Sequence, residues 1–101
     1  MRTIKNMMSI GERPEAYTLY EIIYNIYDEF KDRRWNYVPL SIFFVDTASS
    51  LELRTLEDIR EYGECLPEDG AVFEIIRTKE AYRYNEEINE ICFSVVLEEV
   101  Y

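Results

Sequence analysis

The chain has 101 residues, 48% of them hydrophobic and 15% aromatic, with three glycines and three prolines. That composition suits one core-forming domain with few loops and excludes a disordered chain. Twenty-one acids against eleven bases leave a net charge of −10, which repels nucleic acid and anionic membranes and calls for a basic partner.

The charge is unevenly placed. Residues 1–50 hold seven acids and six bases, whereas residues 51–101 hold fourteen acids and five bases. No signal-peptide h-region stands in "MRTIKNMMSI" and no apolar run approaches the ~20 residues of a membrane span. Cys65 and Cys92 read as free thiols of a reducing compartment. The expectation is a cytoplasmic protein, in its own cell or a host cell.

In chain order, the first element is a short edge strand around Thr3–Ser9 or loose chain. "ERPEAYTLYEIIYNIYDEFKD" then reads as a helix. Pro14 suits its first turn, and Glu12 and Glu15 favour the positive end of its dipole. At 100° per residue Leu19, Ile22, Ile23, Ile26 and Phe30 share the core face. Glu21, Asn25, Asp28 and Glu29 hold the opposite side, and Lys31, Arg33 and Arg34 close the C-terminal end. Tyr17, Tyr20, Tyr24 and Tyr27 line one flank. Such a flank is either a core boundary with hydroxyls reaching water, or an interface, because tyrosine buries much area while freezing only two torsions.

"YVPLSIFFVDT" reads as a strand opened by Pro39. Leu40, Ile42 and Phe44 point one way, Phe43 and Val45 the other, so the strand is expected to be central or covered on both faces. "ASSLELRTLEDIREYGE" reads as a second helix. Ser49/Glu52 and Thr55/Asp58 both have capping-box spacing, and in the second case "LELR" is a short strand. Leu56, Ile59 and Tyr62 form its buried stripe, Gly63 its C′ residue, and "ECLPEDG" a loop. "AVFEIIRTKEAYRYN" and "ICFSVVLEEVY" read as two strands joined around "EEINE", with Ile91, Phe93, Val95 and Leu97 on one face of the second. The expected class is α+β: a single small domain, with a mainly antiparallel sheet of three to four strands and two helices packed on one face.

Several chemistries lack their residues. The chain has no histidine, which removes the usual proton shuttle and the commonest metal ligand. Two cysteines without a Cys-x-x-Cys pair argue against zinc. Glycines 11, 63 and 70 are too scattered for a phosphate loop. No EF-hand spacing is present, although Glu64, Glu68 and Asp69 could hold a cation weakly. Asp46, at a strand end, is read as a turn cap rather than a catalytic acid. "KDRRWNY" is the only basic-aromatic cluster, and it is read either as Arg34 stacked on Trp35 or as a helix end satisfied by lysine and arginine. The chain is therefore expected to be no enzyme and to carry neither cofactor nor metal.

The positive signal is the acid run of the second half. Glu57, Asp58 and Glu61 fall on the second helix, and Glu64, Glu68 and Asp69 continue it into the loop. Glu57 and Glu61 are helical neighbours ~5–6 Å apart, close to the phosphate spacing of nucleic acid. Such an array is either a solvated face or a surface that occupies a basic channel. In size and charge the chain is similar to small acidic phage-encoded antagonists of bacterial defence systems and to immunity proteins of nuclease toxins, a likeness of composition only. The leading expectation is a non-catalytic inhibitor or nucleic-acid mimic that masks a basic, nucleic-acid-binding protein. The alternative is a structural or regulatory interaction domain, homodimeric through the tyrosine flank or through an exposed edge of the strand ending "SVVLEEVY".

Overall fold

Thr18 decides where the first helix begins. Its side chain accepts from the Glu21 N–H at 3.2 Å, while the Glu21 carboxylate accepts from the Thr18 N–H at 3.1 Å. This reciprocal capping box satisfies two otherwise orphaned backbone donors, a gain of about 1 kcal/mol. The computed structural model describes residues 16–33, 37–84 and 89–100. The edge strand at Thr3–Ser9, Pro14 with Glu12 and Glu15, the Arg34–Trp35 stack, and Glu86 and Glu87 lie outside the described residues.

Within them the order is β1 (Tyr17–Thr18), α1 (Leu19–Lys31), β2 (Tyr37–Phe44), β3 (Ser49–Thr55), α2 (Leu56–Glu64), β4 (Val72–Tyr84) and β5 (Asn89–Val100). The first helix starts later than its tyrosine periodicity suggests. Tyr17 lies in a two-residue strand opposite Phe73 of β4 and is buried. Tertiary pairing has taken it out of the helical stripe.

The second helix resolves the choice between its two capping boxes. Thr55 is the cap, its Oγ1 accepting from the Asp58 N–H at 3.1 Å and its own N–H donating to Asp58 Oδ2 at 3.2 Å. Residues 49–55 are a strand, because Leu51 and Leu53 alternate with Glu52 and Arg54 at period two. Gly63 is not the C′ residue: the helix runs on to Glu64, with Cys65 as C-cap at φ −86°. Gly63 is buried, and a Cβ there would stand 2.9 Å from Ile23 Cγ2. The missing side chain lets α2 lie closely on α1.

The five strands form one mixed sheet in the order β1-β4-β5-β2-β3. β2 and β5 are parallel, and the other neighbours antiparallel. The sheet therefore has more strands than expected and is not antiparallel throughout. The hairpin β4–β5 returns β5 beside β2, a non-local pairing that no local pattern encodes. β5 is interior, between β4 and β2; among the described residues the free edges are the outer edge of β3 and that of β4 beyond its two-residue pairing with β1.

β4 carries a bulge. Ile75 opposes Leu97 and Arg77 opposes Val96, which leaves Ile76 as the extra residue, 48% exposed. The bulge changes which residues face the helices. Phe73 and Ile75 do so before it, Thr78 and Glu80 after it, while Arg77 and Lys79 turn to the opposite face. Pro39 sits inside β2 at a register shift between Tyr37 and Leu40, a place where a missing N–H is tolerated.

The core lies between the sheet and the two helices. Ile22, Ile23, Ile26 and Phe30 of α1 and Ile59 of α2 meet Val38, Leu40 and Ile42 of β2 and Ile91, Phe93, Val95 and Leu97 of β5. Phe30 meets Phe93 edge to face, with centroids 5.3 Å apart. Burying each such side chain is worth roughly 1.5–3 kcal/mol. The other face of the sheet is open among the described residues. Phe43 is 45% exposed there and Val45, just past the strand, 51%, so β2 is interior but not covered on both faces.

Two polar groups depart from expectation. Asn25, placed on the solvent side of the helix, is buried. Its Nδ2 donates to the Glu21 carbonyl at 2.7 Å, and its Oδ1 has no hydrogen-bond partner among the described residues. Asp46 does hold a backbone N–H, but that of Glu99, at 2.7 Å from Oδ2. It ties the exit of β2 to β5 rather than capping its own turn.

Candidate binding groove

The two helices lie side by side on one face of the sheet, and their outer flanks enclose a groove of about 350 Å³. α1 supplies Tyr20, Ile23, Tyr24 and Tyr27; α2 supplies Ile59, Arg60, Gly63 and Glu64; Leu66 and Glu68 follow from the loop. The helix starts and crossings explain the set. With α1 capped at Thr18, Tyr20, Tyr24 and Tyr27 project from the flank beside the aliphatic core face. α2 lies close on α1 where Gly63 meets Ile23, and these two residues line the groove.

The tyrosines are not equivalent. Tyr20 and Tyr24 stack, with centroids 6.1 Å apart and planes 22° apart. Tyr24 is exposed, while Tyr20 and Tyr27 are half-buried. Tyr17 stands apart on the β4 side of α1.

The acids divide as well. Glu64 and Glu68 are exposed on the rim of the groove. Glu57 is exposed near Tyr27. Asp58 is half-buried and engaged in the Thr55 capping box. Glu61 is exposed and opens, with Asp58, onto a second, shallower depression beside β3. Asp69 is exposed in the loop. The structure thus brings Tyr20, Tyr24, Tyr27, Glu64 and Glu68 around one groove and leaves Tyr17, Glu57, Asp58, Glu61 and Asp69 outside it.

Arg60 modifies the acid ridge. Its guanidinium bridges Glu57 and Glu64, the second at 3.4 Å. The hydrogen bond to Glu57, then the charges of Glu57 and Glu64, raise its pKa above the ordinary arginine value. It stays a cation inside the ridge at every working pH. The i, i+3 and i, i+4 spacing of Glu57, Arg60 and Glu64 is the sequence signal for this bridge. Gly63 and Leu66 are groove residues that the sequence reading treated as a cap and a loop.

Among the described residues no cluster of cysteines and carboxylates is arranged to hold a metal ion. Among the described residues Cys65, exposed, and Cys92, half-buried, are not joined in a disulfide. No helix among the described residues is long and apolar enough to cross a membrane. The chain matches no protein-family model, no curated protein and no solved structure.

Proposed function

We propose that this chain is a non-catalytic binding module that masks a basic, nucleic-acid-binding protein, gripping it at the groove between α1 and α2. The observation that carries the reading is the meeting of an apolar, tyrosine-walled floor with a rim of exposed carboxylates, Glu64 and Glu68. A groove of this kind suits an apolar anchor side chain flanked by lysines or arginines. The anchor supplies affinity by burying area in a preformed recess. The carboxylates supply orientation and rejection of other partners.

The charge of −10 acts at longer range. It steers a basic surface toward the groove and speeds encounter at low salt. Arg60 argues for an anchored grip rather than a continuous copy of a phosphate row, since it interrupts the acids it bridges.

The test is capture of the partner by the immobilised chain at about 0.05 M and about 0.5 M salt, a range over which the Debye length shrinks severalfold. A basic protein should be held at the lower concentration and released at the higher. Glu64→Lys with Glu68→Lys, and separately Tyr24→Ala, should each abolish its retention. Retention that survives both variants sinks the reading.

A further inference from the structure

β3 ends the sheet, and among the described residues its outer edge has no partner. An unpaired strand edge offers a row of backbone donors and acceptors to another strand. A depression of about 490 Å³ opens beside it, walled by Leu53 of the strand and Tyr62 of α2, so the edge is reachable. Leu51 and Leu53 face the core side yet are only half-buried. Glu52 and Arg54 are exposed on the open side, and neither makes an ion pair among the described residues.

We propose that this edge pairs antiparallel with the same strand of a second copy of the chain, Leu53 opposite Leu53. The register follows from face and charge. A two-fold pairing that keeps both apolar faces on one side must set some residue opposite its own copy. Centring on Glu52 or Arg54 puts like charges together, which is unfavourable. Centring on Leu51 sets Leu53 against Ser49 and leaves Arg54 beyond the paired strand. Centring on Leu53 pairs Leu51 with Thr55, and Glu52 with Arg54 twice. The two helix-covered layers then join across a continuous sheet. An edge carrying Glu52 and Arg54 two residues apart is complementary to itself in this register alone.

The pairing does not rest on the grip proposed for the groove, and its salt dependence has the opposite sign. Each copy carries −10, so the long-range term opposes association, and added salt screens it. Dimerisation should strengthen from low to moderate salt, whereas partner capture weakens.

Sedimentation equilibrium of the full chain over a concentration series tests it, with circular-dichroism melting to confirm that each variant is folded. The wild type should dimerise in the high-micromolar range or below. Glu52→Arg and Arg54→Glu should each weaken the dimer by roughly tenfold or more, since both inter-copy pairs become like-charged. The double variant E52R/R54E leaves the net charge unchanged and rebuilds both pairs, so it should restore wild-type association. A wild type that stays monomeric at about 1 mM, where even a weak millimolar association would be visible, overturns the proposal. So does a dimer indifferent to the single variants, or one that the double variant fails to restore.

Discussion

Among the described residues two arginines each bridge two carboxylates, and the bridges differ in what they hold. Arg33, just past α1, joins Glu29 of its own helix at 3.0 Å to Glu80 of β4. Its guanidinium also lies 4.9 Å over the Phe30 ring. Arg60 joins Glu57 and Glu64, both on its own helix, with all three side chains open to water. The first bridge crosses from helix to sheet at the edge of the core and fixes tertiary structure. The second is local, and its main effect is on the charge that the groove presents. The chemistry is shared; burial and sequence separation set the consequence.

Around Arg33 the balance is explicit. Partial burial works against the charged guanidinium, but the hydrogen bond to Glu80 and the charges of Glu80 and Glu29 outweigh it, and its pKa is raised. Arg33→Ala leaves two carboxylates facing each other without a cation between them. The expected cost is about 1–2 kcal/mol in urea unfolding, the largest effect in this set. A loss no greater than that of an exposed surface alanine would erase the distinction between the two bridges.

Arg60→Gln is the matching change on the other side. Its exposed bridge should contribute little, so the urea midpoint should stay near wild type. Binding of the basic partner should instead tighten, by roughly three- to tenfold at low salt, because the ridge loses its one cation. Titration calorimetry reads this directly. A lower midpoint with unchanged affinity would reverse the assignment.

The smallest expected effect belongs to Tyr82, whose hydroxyl donates to Glu80 Oε1 at 2.9 Å. That hydrogen bond, with lesser help from burial and the Glu80 charge, raises the phenol above the ordinary tyrosine value near 10.0. The proton is held more firmly in the folded chain than in the unfolded one. The contribution is therefore whole below the unfolded value and is lost as pH rises through the folded one. The stability difference between wild type and Tyr82→Phe should be constant from neutral pH to about pH 9 and shrink above about pH 10. A difference that grows with alkaline pH contradicts the sign.

Legibility in the sequence followed the range of each interaction. The core face of α1 and the inward set of β5 were visible because both are strictly periodic. Thr55 with Asp58 was visible as one of two capping boxes, with "LELR" a short strand in that case, and only the fold chose between them. The start of α1 was obscured because Tyr17 keeps helical spacing with Tyr20, while its pairing with Phe73 is decided by a strand far along the chain. Asn25 looked solvent-facing on a helical projection, which carries no information about what else packs on that flank. Of the groove, the tyrosines and the acids stood out separately. That three tyrosines and two acids share one recess depends on the approach of Gly63 to Ile23.

What the amino-acid order settled alone is composition and what repeats or caps within a few residues: two amphipathic helices, the apolar strands, an absence of histidine chemistry, and a net charge of −10. The tertiary structure decided the neighbours: the parallel pair of β2 and β5, the bulge at Ile76 that turns Arg77 and Lys79 outward, and the free edge at β3. The reason is that periodicity is a property of one segment. Strand order and helix contact are set by which distant surfaces bury each other best, and several arrangements of the same segments would satisfy the same local patterns.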